Sequence, residues 1–460
     1  MTPAWHGLPP RAWRFAILAG AAIGITYALS PLTVWFAIAA VAIVRWAERG
    51  LPADERLWVR TMLVAAIALR VLAVLALFSA TDHGRVPFGT FFGDEDFFIK
   101  RSIWLRNLAL GVPIHPADLI YAFDEVGRTS YLYALAWLQL FTGPSPYGVH
   151  LVGIAFYVAA VVLLFRLTYR TLGHMPAFAG LALLMFLPTL FVWSVSALKE
   201  SAFILLTACA IAMSERLVRT RGWARRVATL AVLVSLAAVA ESVRRIGAFF
   251  TAASLALGLA CAAIVSRPRV VLGTAVLAPM VIGAVLSRPA AQLQAYRVVK
   301  MAADQQRGYI STPGYAYKTL DDRFYISARD IDDMRFFEAG RFVIRAFVDY
   351  MVVPLPWQVA SRASLGYLPE QIVWYVMIAQ LPFGFVASLH RDALVASVLL
   401  AFAVVSAGLV ALISGNVGTL VRHRGMVIPY IVWMSAVAAC DLLSRAGRRS
   451  ITRRIESSWP

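Results

Sequence analysis

Long apolar runs with almost no charge constrain this sequence more than any motif does. They occupy residues 14–30, 31–45, 60–80, 147–169, 175–194, 200–218, 227–243, 247–266, 270–287, 369–388, 393–413 and 426–444. A helix needs roughly 20 apolar residues to cross the hydrocarbon core of a bilayer. Within lipid the backbone has no water to bond to, so such runs must satisfy their own N–H and C=O groups as helices. Composition agrees, since 60% of the 460 residues are apolar and only 15% are charged. A soluble globular chain carries about a quarter charged residues, and a disordered chain lacks this much apolar surface. The expected fold is an all-α polytopic membrane protein with about twelve transmembrane helices. Arg11 and Arg14 ahead of the first run mimic a signal peptide. Pro31 opens a second run at once, so residues 1–58 are read as an uncleaved helical hairpin.

Lys and Arg number 43 against 25 Asp and Glu, a net charge of +18. Most of the excess sits in short loops between apolar runs, which marks cytoplasmic loops rather than a nucleic-acid partner. Arg45, Arg49, Arg56 and Arg60 precede the third run, and Arg166 and Arg170 end the fourth. Arg216, Arg219, Arg221, Arg225 and Arg226 separate the sixth and seventh, Arg267 and Arg269 the eighth and ninth, and five arginines fill the 445–460 tail. All fall on one side if the spans alternate. That side is expected to be the cytoplasm, with both termini inside, in the inner or plasma membrane. Cys209, Cys261 and Cys440 lie inside apolar runs without C-x-x-C spacing, so no disulfide framework or zinc site is indicated.

Two long segments then face the exterior, residues 81–146 and 288–368. The first contains amphipathic stretches at 97–110 and 131–141, suited to the membrane surface. The second, around GYISTPGYAYKTLDDRFYISARDIDD, is too short for a large domain and is expected to form a cap or lid. The expected divisions are therefore 1–58 as hairpin, 59–287 as transmembrane core with its 81–146 loop, 288–368 as cap, 369–444 as C-terminal spans and 445–460 as basic cytoplasmic tail.

Four charged clusters break the orientation pattern by facing outward. They are Asp94, Glu95 and Asp96 with Lys100 and Arg101; Lys199 and Glu200; Glu241 with Arg244 and Arg245; and Arg422, His423 and Arg424. A charge at the bilayer centre costs about 2.5–3.5 kcal/mol on insertion scales, so such groups usually face a cavity or a partner. Acids there can act as a general base on a hydroxyl, and arginines can grip a phosphate through forked hydrogen bonds. Each cluster also has a plain structural role. The acids can solvate a loop, Lys199 and Glu200 can form a weak ion pair, and Glu241 is spaced to pair along a helix with Arg244 or Arg245. The basic triplet can anchor at headgroups. Arg70, in mid-span, is expected to be paired inside the bundle. His423 has no second His or Cys nearby and is a poor metal ligand.

The order of GDEDFFIKRSIWLRNLALGVPI, then the span ending FRLTYRTLG, then AFAGLALLMFLPTLFVWSVSALKES resembles the GT-C superfamily of membrane glycosyltransferases. It looks most like the protein mannosyltransferase and aminoarabinose transferase branch. Asp94 and Glu95 match that family's acidic pair, with Phe98 at its aromatic position; Pro188, Ser194 and Glu200 match its later turn. NVGTLVRHRGMVIPYIVWMSA is similar to late segments of bacterial polysaccharide-assembly members. Two apolar runs precede the span that feeds the acidic loop, where the family usually has none, and the large C-terminal soluble domain of many members has no counterpart. The resemblance implies a polyprenyl-phosphate-linked sugar donor and a glycan, lipid or protein hydroxyl acceptor. It implies Asp94 as base and Glu95, Asp96 and Glu200 as orienting groups. Arg244, Arg245, Arg422 and Lys199, with His423 beside them, would meet the phosphate. It implies no cofactor; Asp94 and Asp96 form a D-x-D that could hold a divalent ion. The competing readings are a polymerase or ligase of lipid-linked oligosaccharides, a glycolipid transporter or flippase, and a purely structural scaffold.

Overall fold

The computed structural model describes residues 10–85, 91, 93–125, 128–145, 147–267, 287–308, 317–326, 329–355 and 366–456, and residues 268–286 in part. The expected ninth span at 270–287, residues 309–316 of the tyrosine-rich stretch and Phe92 fall largely or wholly outside the described residues. All regular elements among the described residues are helices. In order they are α1 (Pro10–Leu29), α2 (Pro31–Glu48), α3 (Ala53–Ala80), α4 (Gly93–Ala109), α5 (Pro116–Ala122), α6 (Ser130–Thr142), α7 (Gly148–Thr171), α8 (His174–Phe186), α9 (Pro188–Ser194) and α10 (Glu200–Arg219). There follow α11 (Trp223–Val243), α12 (Gly247–Val265), α13 (Pro289–Gly308), α14 (Arg323–Ile326), α15 (Arg329–Asp332), α16 (Phe336–Val352), α17 (Leu368–Ile413), α18 (Val417–Arg424) and α19 (Ile428–Glu456).

Among the described residues, eight helices are long and apolar enough to cross a membrane, or up to ten if each of two bent pairs is one span. The chain is a multi-pass membrane protein. The bends have local causes. α8 and α9 meet at 62°, where Leu187 takes an extended conformation ahead of Pro188, as the residue before a proline prefers. α18 and the following helix meet at 64°. α17 has 46 residues but contains one non-helical residue, Asp392, at φ −156° and ψ 97°. The Asp392 carboxylate accepts from Val395 N at 3.1 Å, so it caps the start of the second half as N-cap acids do.

The chain forms two compact units. The first comprises Met1–Val162, Phe191–Leu205 and Ser242–Arg245. In it, Glu48 receives both Arg60 Nε and Nη2, at 2.6 and 2.7 Å, across the α2–α3 connection. The 81–146 segment becomes a small helical layer. α4 packs on α6, with Gln139 donating to Ser102 Oγ at 2.9 Å and Arg106 to Gln139 O at 2.9 Å.

The second unit comprises Leu163–Leu190, Leu206–Glu241 and Ile246–Pro460. α17 is its centre and packs against α12, α16 and α19, with α8 on α19. Phe402 of α17 meets Phe250 and Tyr430 at ring distances of 5.6 and 5.5 Å, and the buried Tyr430 hydroxyl bonds to Thr207 at 2.7 Å. Residues 288–368 have an apolar core of their own, including Ala303, Leu320, Phe324, Met334 and Phe342. Salt bridges surround it, among them Arg345 to Asp321 at 2.8 Å and Lys318 to Asp322 at 2.7 Å.

Candidate active site

Three acids occupy the first turn of α4, where carboxylates complement the helix dipole. Successive helical residues point about 100° apart, so adjacent acids in this motif face different surroundings. Glu95 is completely buried. Its Oε1 accepts from Phe91 N at 2.5 Å and lies 3.4 Å from His150 Nε2, while Oε2 accepts from Ala197 N at 2.7 Å. The Phe91 ring stacks on His150 at 4.2 Å. A buried carboxylate needs such donors to offset desolvation. Asp94, one position earlier, is exposed. Asp96 is half-buried and pairs with Lys100 at 2.6 Å.

Glu95 thus joins the acidic helix to the 195–199 turn, and that turn is fixed from several sides. Ala197 gives its N–H to Glu95 and accepts the Tyr131 hydroxyl at its carbonyl, at 3.1 Å. The Ser196 carbonyl lies so close to Gly153 of α7 that a Cβ there would stand 2.6 Å from it. Burial first, then the negative charges of Glu200 and Glu95, push the Tyr131 phenol above its ordinary range. It therefore stays protonated as a donor. Beyond the fixed peptide come Lys199 and Glu200, both half-buried. Lys199 Nζ stands 5.9 Å from the Phe98 ring centre.

The 242–245 turn enters the same unit. Ser242 bonds to Ser130 at 2.7 Å, and the Arg244 guanidinium lies 5.8 Å from the Phe203 ring. Arg244 is half-buried and Arg245 exposed. The corner itself is tight. Glu241 accepts from Ile246 N at 3.2 Å and Ala248 N at 2.9 Å, which caps the start of α12. Ile246 has φ 71°, a left-handed conformation that a β-branched residue rarely adopts. Gly247 permits the corner, because a Cβ there would meet Ala240 O at 2.2 Å.

Two of the four charged clusters, the 94–101 group and Lys199 with Glu200, and the two arginines of a third, Arg244 and Arg245, therefore belong to one unit, while Glu241 belongs to the other. Arg422 and His423, both half-buried, stand in the second unit. His423 Nδ1 is 3.5 Å from Ser414 Oγ. Several cations of these clusters turn out to be structural. Arg101 is buried, donates to Ala122 O at 3.1 Å and to Asp124 O at 2.5 Å, and so closes α5. Burial holds its guanidinium below the ordinary value. Arg424 is buried too, donating to Tyr350 O at 3.1 Å and to Gln371 Oε1 at 2.8 Å, and also to Val353 O. It clamps the end of α16 instead of reaching headgroups. Arg70 is buried as expected, but its partners are Ser194 Oγ at 2.7 Å, Ala66 O at 3.1 Å and the rings of Tyr157 and Phe191.

His150 and Tyr131 were missed in the sequence. A single histidine in an apolar run looks like core, and only its contact with Glu95 reveals a role. Among the described residues no group of three or more His, Cys, Asp or Glu side chains is arranged to hold a metal ion. Asp96 is already engaged by Lys100. Chemically, the first unit offers an exposed carboxylate on a rigid mount, with an ammonium and two guanidinium groups on neighbouring turns. Comparison with protein-family models, curated proteins and solved structures gives no match.

Proposed function

We propose that this chain is a GT-C-type membrane glycosyltransferase. It moves a sugar from a polyprenyl-phosphate donor to a hydroxyl acceptor at the extracytoplasmic face, in the assembly of cell-surface glycan. The reading is carried by the split between neighbouring acids: Glu95 is consumed as a mount while Asp94 stands exposed on it. Asp94 takes the acceptor's proton. The freed oxygen attacks the anomeric carbon, and the bond to the phosphate oxygen breaks. The departing phosphate gains negative charge, which Arg244, Arg245 and Lys199 offset. Glu200 orients Lys199, and Glu95 acts by positioning. The proposed site is built from the first unit alone.

The topology belongs to the same reading. Counting the two sides of Asp392 separately, each bent pair once, and 270–287 as a span gives about twelve crossings. Links within each unit support the alternation. Expected inner ends meet where Arg391 bonds Asp441 at 2.6 Å and donates to Leu172 O, and where Arg219 pairs with Asp392. Expected outer ends meet where Ala197 bonds Glu95 and where Tyr317 donates to Ser414 O at 2.5 Å. Both termini then lie in the cytoplasm.

The test is donor class. Purified protein in proteoliposomes is given a labelled sugar on a polyprenyl monophosphate, or an oligosaccharide on a polyprenyl diphosphate. A new glycosidic bond from the monophosphate is the expected result. Use of the diphosphate alone, or translocation of glycolipid with no new bond, would overturn the proposal.

A further inference from the structure

The second unit carries a groove that sugar transfer does not use. It lies between the first half of α17 and α19 and has a volume of about 810 Å³. Its length is apolar, formed by Pro382, Phe383, Val386, Ala438 and Leu442. Phe383 is 74% exposed and Val386 and Leu442 are each 55% exposed. One end is charged instead, holding His390, Arg391, Asp441 and Arg445. Arg391 is partly engaged, bonding Asp441 Oδ1 at 2.6 Å and the Leu172 carbonyl. Arg445, one helical turn beyond Asp441, is exposed and has no carboxylate partner among the described residues. Two arginines against one acid leave this end net positive.

An apolar channel with a cationic mouth at the helix ends fits an amphiphile and not a free anion. The mouth lies at the ends expected to be cytoplasmic, where anionic lipid collects and nearby Lys and Arg side chains attract it. The first unit has a comparable groove of about 690 Å³ along α2 and α3. There too two arginines, Arg45 and Arg60, stand against one acid, Glu48, which holds Arg60 through both oxygens; the α17–α19 mouth differs in adding His390. We propose that the α17–α19 groove is a binding site for an anionic phospholipid of the cytoplasmic leaflet. Its acyl chain lies along Phe383, Val386 and Leu442, and its phosphate meets Arg445, Arg391 and His390. The site rests on the proposed orientation and is independent of catalysis.

The test uses the full chain in detergent. Native mass spectrometry and thermal unfolding are followed with phosphatidylglycerol, with phosphatidylcholine of the same acyl chains, and with inorganic phosphate. Phosphatidylglycerol is expected to bind tighter than phosphatidylcholine by on the order of ten-fold, from one to two cationic contacts. Arg445→Gln combined with His390→Gln is expected to abolish that preference while leaving the fold intact. Ala387→Phe, at a partly exposed position lining the groove, is expected to weaken both lipids. Equal retention of the two lipids, or a preference that survives the double variant, overturns the proposal. So does stabilisation by inorganic phosphate equal to that by phosphatidylglycerol, which would make the groove a simple anion site. Sugar transfer enters none of these readouts, so their failure leaves the enzymatic reading untouched.

Discussion

Glu95→Gln removes a buried charge while keeping the shape of the side chain, and the structure sets what that should cost. Two backbone N–H groups, of Phe91 and Ala197, donate to the carboxylate at 2.5 and 2.7 Å. A hydrogen bond to a charged group is worth about 1.5–3 kcal/mol. Gln keeps one acceptor oxygen and turns an N–H toward the other donor, so one of the two bonds is lost. The expected loss of stability is about 2–3 kcal/mol, and Glu95→Ala, which orphans both donors, should cost about 4 kcal/mol or more. Asp94→Asn changes an exposed side chain and should stay within about 0.5 kcal/mol of the parent. Reversible unfolding in mixed micelles, read by tryptophan fluorescence, separates these values, and limited proteolysis of the 81–146 layer gives a local readout. Glu95→Gln as stable as the parent, or both variants losing equally, would refute the division of labour between the neighbouring acids.

Three further outcomes are expected. Ile246→Gly relieves a left-handed conformation and, with its side chain 53% exposed, should raise unfolding stability by about 1 kcal/mol; a loss would show that the corner is unstrained. Arg424→Met leaves the carbonyls of Tyr350 and Val353 without their donors and should cost about 3 kcal/mol or more, with faster proteolysis in residues 288–368 as the check. In acid, the same segment should loosen. The Arg335 backbone N–H and the Arg323 side chain hold Glu338 below its usual 4.5, and Lys318 holds Asp322 below its usual 3.8. Carboxylates lowered in the folded state stabilise above their unfolded values and lose that contribution as pH falls through their folded ones. Amide protection factors of residues 317–355, exchange corrected for its intrinsic pH dependence, should therefore be unchanged from neutrality to about pH 5 and fall below about pH 4; a fall already at pH 6 would contradict this assignment.

The apolar runs were legible because crossing a membrane is a local property of about 20 residues. Positions 31–45, 147–169 and 247–266 correspond to α2, α7 and α12. The break between the runs at 369–388 and 393–413 was visible as a charged gap, while its capping by Asp392 required coordinates. That the acids at 94–96, Lys199 and Arg244 share one compact unit required coordinates. What the sequence concealed were roles set by tertiary contact. Asp94 and Glu95 are chemically alike, and only the positions of Ala197 and His150 separate an exposed acid from a buried joint. Arg422 and Arg424 are two residues apart, yet only Arg424 is buried beneath the end of α16. The partners of Arg70 are a hydroxyl, a carbonyl and two rings, which no charge pattern encodes.

The most direct test of the central claim is the rate of sugar transfer from a polyprenyl monophosphate donor by Asp94→Asn in proteoliposomes, normalised to folded protein. If the exposed acid is the base, the rate falls by at least about 100-fold while unfolding stability is retained. A variant that transfers sugar as fast as the parent would contradict the assignment of Asp94 and the site built around it.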